Sequence, residues 1–182
     1  GGDGLIVMSS VWNCLEQNKG GVCTKGVYHK QGATRNLLVR DVVLDRNYRQ
    51  GMSVISAQNA EFINCTFSNT NGTPPQAGVD LEPDPSDVPS DPLRLTNITF
   101  QDCVSVNNSG AGFAGYFAGL LGPMKGGWAK GVPPTTIKFV NCSIRGGNSS
   151  GWNWGCLYPQ LAGEIVVSGG FTEGTRAWGV HI

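Results

Sequence analysis

Apolar and polar residues alternate in five segments that align without internal gaps: NLLVRDVVL (36–44), NAEFINCTF (59–67), NITFQDCVS (97–105), TIKFVNCSI (136–144) and EIVVSGGFT (164–172). A period of two marks β-strands with one buried face. Aligned, one apolar column reads Val39, Phe62, Phe100, Phe139 and Val167. Three places on, a corner column reads Val42, Cys65, Cys103, Cys142 and Gly170. A polar column lies just before it: Asp41, Asn64, Asp102, Asn141 and Gly169. An earlier copy is read at VWNCL (11–15), which puts Asn13 and Cys14 into the last two columns.

A second strand follows each segment and opens on a glycine: GMSVIS, GVDLEP, GFAGYF, GWNWGC and GVHI, led by Gly51, Gly78, Gly112, Gly151 and Gly179. Glycine suits a turn or a close backbone approach. The spacings between these glycines are 27, 34, 39 and 28 residues. Repeats of this size with short strands and no helical period predict an all-β solenoid. The leucine-rich L-x-x-L-x-L spacing is missing, and a propeller blade needs four strands per repeat.

The N-x-φ-x-N-C pattern, the glycine-led strand, and RQGMSVIS and QAGVDLEP together resemble the right-handed parallel β-helix, or pectate-lyase-like, superfamily. The resemblance implies one domain over residues 1–182, of about five to six coils, with loop insertions at 83–94 and 118–135. It implies a carbohydrate-linked activity of lyase, hydrolase or epimerase type, or a passive scaffold, since the superfamily holds all of these. No complete catalytic signature of its polygalacturonase or pectate lyase branches occurs. The chain opens on GGDG and stops at GVHI, within a strand pattern, and so reads as a segment of a longer, secreted or cell-surface solenoid, with further coils or neighbouring chains expected at its ends. Any export signal would precede it.

Composition narrows this picture. Charged residues make up 14% of the chain and the formal net charge is zero, so the basic footprint of a nucleic-acid binder is missing. No apolar run approaches the ~20 residues of a membrane helix. Cys65, Cys103 and Cys142 read as a buried ladder of small side chains rather than metal ligands. Cys14 and Cys23 are the expected disulfide pair, and Cys156 lacks a partner. Of the Asn-x-Ser/Thr sites, Asn64 and Asn141 belong to the polar corner column. Asn71, Asn107 and Asn148 fall in turns and are the expected glycan acceptors in a eukaryotic protein.

Candidate chemistry centres on Asp80 and Glu82. Alternation turns Met52/Val54 and Val79/Leu81 inward, and Ser53, Asp80, Ala114, Asn153 and His181 outward in one column. Ile55, Glu82, Tyr116 and Gly155 form the next. The two acids should face solvent with Cα atoms ~6.5–7 Å apart. They could be the catalytic acid and base on a glycosidic bond, bind a cation such as Ca²⁺ with help from Asp84, or hydrogen-bond sugar hydroxyls. Tyr116, Asn153, Trp128, Lys125 and Lys130 are the candidate substrate-binding residues, with Trp128 and the lysines on the second long loop. The first loop also holds Asp87 and Asp91. His181 is ~14 Å from Asp80 and His29 has no assigned partner. Arg49, ~13 Å along the strand from Ser53, is left outside the site. Two functions follow: a protein that acts on polysaccharide through an outer groove, or a non-catalytic structural or adhesive module.

Overall fold

A computed structural model describes residues 2–8, 10–19, 23–30, 34–82, 95–116, 135–147, 151–155, 163–175 and 180–181. Among them there are strands and turns but no helix, so none is long and apolar enough to cross a membrane. Sheet I has six strands, β1 (Leu5–Val7), β6 (Met52–Val54), β9 (Val79–Leu81), β12 (Phe113–Tyr116), β15 (Trp152–Gly155) and β18 (Val180–His181). Sheet II has five: β4 (Thr34–Arg40), β7 (Ala57–Ile63), β10 (Leu95–Gln101), β13 (Thr135–Val140) and β16 (Gly163–Ser168). Sheet III also has five: β5 (Val43–Asp45), β8 (Thr66–Ser68), β11 (Val104–Val106), β14 (Ser143–Arg145) and β17 (Phe171–Glu173). From β4 onward the chain visits II, III and I in strict rotation, and every pairing within these sheets is parallel.

The register is the one the alternation predicts. Val39 pairs with Phe62, Phe62 with Phe100, Phe100 with Phe139, and Phe139 with Val167. Parallel strands stand ~4.8 Å apart, so like residues in register must stack. The Phe62 and Phe100 rings do so at 4.6 Å between centroids, and Phe100 and Phe139 at 5.0 Å. Phe113 of sheet I meets Phe100 and Phe139 of sheet II and Phe67 of sheet III edge-on. All three sheets thus face one core. Full burial of each phenylalanine contributes about 1.5–3 kcal/mol. Cys65, Cys103 and Cys142 are buried free thiols aimed at backbone carbonyls of the neighbouring coil, 3.7, 3.3 and 3.5 Å away.

Polar corners hold the turns. Asp41, Asn64, Asp102 and Asn141 all adopt left-handed backbone, with φ from 52° to 59°. Asn and Asp tolerate that region better than other non-glycine residues. Asn64 Nδ2 donates to Asp41 Oδ1, and Asn141 Nδ2 to Asp102 Oδ1, each at 2.8 Å. These bonds hold the Asp41 and Asp102 carboxyls below their ordinary range. A second ladder runs Asn97 to Asn59 to Asn36, at 3.0 and 3.2 Å.

The glycines that lead sheet I permit contact between coils. A Cβ on Gly51 would lie 2.4 Å from the Gly78 carbonyl oxygen, and one on Gly78 2.6 Å from that of Gly112. The column also includes Gly4, because GDGLIV begins the first strand of the sheet: Leu5 pairs with Met52. This corrects the assignment of VWNCL as the earlier copy. That segment belongs to β2 (Ser10–Gln17), which pairs antiparallel with β3 (Cys23–Lys30) in a hairpin between sheets I and II. Its Asn-Cys pair imitates the corner, but no glycine-led strand stands ten residues after it. The hairpin register sets Cys14 opposite Gly26 and Cys23 opposite Gln17, so the two cysteines are not cross-strand neighbours. The hairpin and both long insertions leave the chain at the same corner, after a sheet I strand. Residues 83–94 and 117–134 themselves lie outside the described residues.

Candidate functional site

β6 and β9 set Ser53 beside Asp80 in register. Their strand neighbours Met52, Val54, Val79 and Leu81 all belong to the core, so alternation sends Ser53 and Asp80 to the outer face. Yet Ser53 is 1% and Asp80 5% exposed. The expectation that Asp80 faces water is therefore corrected. Glu82 follows the end of β9, donates its N–H to Val54 O at 3.1 Å, and keeps 29% side-chain exposure.

Converging neighbours explain the burial. Gly2–Gly4 and Arg49–Gly51 run side by side, with Arg49 N donating to Gly2 O and Gly4 N to Gln50 O, both at 3.1 Å. Asp3 therefore lies beside Gln50, ahead of the strands that carry the site. Ser53 Oγ donates to Asp3 Oδ2 at 2.6 Å, and Gln50 Nε2 donates to Ser53 Oγ. Arg49 Nη1 stands 3.6 Å from Asp3 Oδ2 and Nη2 3.9 Å from Glu82 Oε2. Leaving Arg49 outside the site is thus also corrected. The ~13 Å expected from strand rise is a backbone distance, and the guanidinium reaches over the face to bridge two carboxylates.

Electrostatics sets Asp80 apart. Burial, then the nearby Glu82 carboxyl, push its pKa up to about 7. Asp3 adds to the rise, while Arg49 and a hydrogen bond from Gln50 oppose it. Near neutral pH Asp80 therefore holds a proton for much of the time. Two other atoms are out of balance. Asp3 Oδ1 and Gln50 Oε1 are buried acceptors that receive no hydrogen bond among the described residues. Such groups are costly to leave unmet.

Sheet I register continues the Asp80 column through Ala114, Asn153 and His181. Tyr116 pairs with Gly155, one strand on from the coil of Glu82. The Tyr116, Asn153 and His181 side chains lie outside the described residues, as do Asp84, Asp87, Asp91, Lys125, Trp128, Lys130 and Asn148. Among the described residues no group of three or more His, Cys, Asp or Glu side chains could hold a metal ion. Arg49 already supplies a cation between Asp3 and Glu82, which works against Ca²⁺ at the same carboxyls. Asn71 and Asn107 are exposed, whereas the Asn64 and Asn141 amides donate within the corner ladder.

Asp3 and Gln50 were legible in principle. GDG and RQG occupy equivalent places before two sheet I strands, and aligning the glycines would have exposed both. No family model matches the chain, and no curated protein or solved structure matches it. What the site can do rests on its own groups: a buried carboxyl with a raised pKa, a second carboxyl and a bridging cation.

Proposed function

We propose that this chain is part of a right-handed parallel β-helix of pectate-lyase-like type that cleaves glycosidic bonds in a polysaccharide, with Asp80 as general acid and Glu82 as general base. Parallel crossovers are right-handed in nearly all proteins, which supports the handedness. The carrying observation is Asp80 itself, a buried acid on the outer face whose pKa of about 7 leaves it a proton to give. Two carboxyl groups with different proton affinities are what acid–base hydrolysis of a glycoside requires.

In this reading Asp80 passes its proton to the glycosidic oxygen as the C–O bond breaks. Glu82 takes a proton from the water that forms the new C–O bond. Arg49 holds Glu82 and Asp3 in place and is a positioning residue. Secretion or display at a cell surface accords with such a substrate.

A panel of neutral and acidic polysaccharides tests this. Reducing ends should appear without the absorbance of an unsaturated uronide, because hydrolysis adds water and elimination does not. Asp80→Asn and Glu82→Gln should each slow release by roughly 10²–10⁴-fold, the usual contribution of general acid or base groups. Equal activity in both variants overturns the site, an unsaturated product replaces hydrolysis with a lyase step, and binding without cleavage makes the chain a non-catalytic module.

A further inference from the structure

At the corner between sheets III and I lies a depression of about 310 Å³, lined by Asn69, Asn71, Asn107, Ser109 and Gly147. These residues come from three successive coils. Asn69 and Asn107 stand at equivalent places, since Asn69 N donates to Val106 O and Asn107 N to Arg145 O, each at 2.9 Å. Three coils at ~4.8 Å per step give a floor ~10 Å long. Among the described residues the lining side chains are amides and a hydroxyl, with no charged group.

An exposed aromatic ring packs on the residue that follows Asn71. Tyr48 is 56% exposed. It lies against Gly72, where an added Cβ would come within 2.5 Å of Tyr48 Cδ2. The segment is fixed there by Thr73 N donating to Tyr48 O at 2.9 Å and Asn71 N donating to Asn47 O at 3.3 Å. Gly72 directly follows Asn71, so the ring lies one residue from the Asn71 end of the depression, outside its lining. Asn69 is held by its Nδ2 donating to Asp45 Oδ1 at 2.7 Å.

We infer that this corner is a second carbohydrate site, which binds a short neutral oligosaccharide and has no part in bond cleavage. Pyranose rings offer an apolar face and a rim of hydroxyls. An aromatic ring beside amides that both donate and accept matches those two surfaces. The volume falls at the small end of the ~300–1,000 Å³ range for ligand sites, which suits one or two sugar units. The described lining offers no cation to a uronate carboxylate, so neutral sugars are favoured over acidic ones. The inference shares the carbohydrate reading of the protein but not the chemistry of Asp80.

Calorimetric titration of the whole chain with neutral cello-, manno- and xylo-oligosaccharides, and with oligogalacturonate, tests it. At least one neutral series should bind, and oligogalacturonate should bind at least ten-fold more weakly. Tyr48→Ala and Asn71→Ala, both changes at exposed side chains, should each weaken binding by about ten-fold. Asp80→Asn should bind as the parent does. Absence of neutral-sugar binding, or unchanged affinity in both corner variants, overturns the site. Loss of binding in Asp80→Asn instead assigns the sugar to the acidic cluster. Asp80-dependent cleavage that persists in Tyr48→Ala leaves the hydrolase reading standing whatever the titrations show.

Discussion

Two sets of polar side chains sit on this stack of coils, and they are built on opposite terms. In the corner ladder each Asp accepts from an Asn of the next coil, and both Asp41 and Asp102 are held below their ordinary pKa. On the outer face of sheet I, Asp80 is buried beside another carboxyl, its pKa rises to about 7, and two neighbouring acceptors find no donor among the described residues. The first set completes itself and stabilises the fold. The second is incomplete and destabilised, which is how a protein keeps a group ready for a ligand.

Substitution at Asp80 should break this contrast most strongly. A group whose folded pKa is raised above its unfolded value contributes stability at low pH and loses it as pH climbs. For Asp80 the window runs from 3.8 to about 7. Asp80→Asn removes the titration, so its unfolding free energy should gain on the parent across that window. The gain is on the order of 4 kcal/mol above neutrality and nearly nil at pH 4. Urea unfolding at pH 4, 6 and 8 reads it, and parallel curves for the two proteins would remove the argument for a proton on Asp80.

A smaller effect belongs to the corner. Asn141 has φ 53°, where an L-residue other than Asn, Asp or Gly is strained. Asn141→Ala should lower unfolding free energy by about 1–2 kcal/mol, and Asn141→Gly by less, since glycine accepts that backbone. The reverse order would mean that the left-handed turn does not govern the site. Catalytic activity, normalised to folded protein, should stay level in both.

The smallest effect is the acid limb at Asp102, an exposed carboxyl. Its lowered pKa contributes stability above the ordinary value of 3.8, which is lost as pH falls below it. Asp102→Asn should therefore differ from the parent more at pH 6 than at pH 2.5. A larger difference at the acid end would show that the hydrogen bond from Asn141 does not favour the ionised form.

Much of this architecture could be read from the chain before any coordinates. Val39 through Val167 fall in register because each faces the core, and a slip of one residue would turn the whole column outward. The Asn and Asp corners were visible for a similar reason: few residues tolerate their backbone. The candidate site was legible only in part. Alternation correctly places Asp80 on the outer face, but it does not say what lies over that face. Among the described residues its neighbours there are Asp3, Arg49 and Gln50, which precede strands rather than occupy them, and alternation takes no account of the reach of a guanidinium. VWNCL misled because an Asn-Cys dipeptide carries little information without the glycine-led strand that should follow.

One corner of the stack accepts added length far more freely than the rest. Past β1 the chain accommodates a hairpin, past β9 thirteen residues, past β12 eighteen, all before re-entering sheet II. Glu82 lies at that same rim. New specificity could thus be acquired, or engineered, by exchanging those segments while the coils beneath keep their stacking. The molecule is arranged like a keyed rack whose slots all open at one corner, beside the acidic cluster.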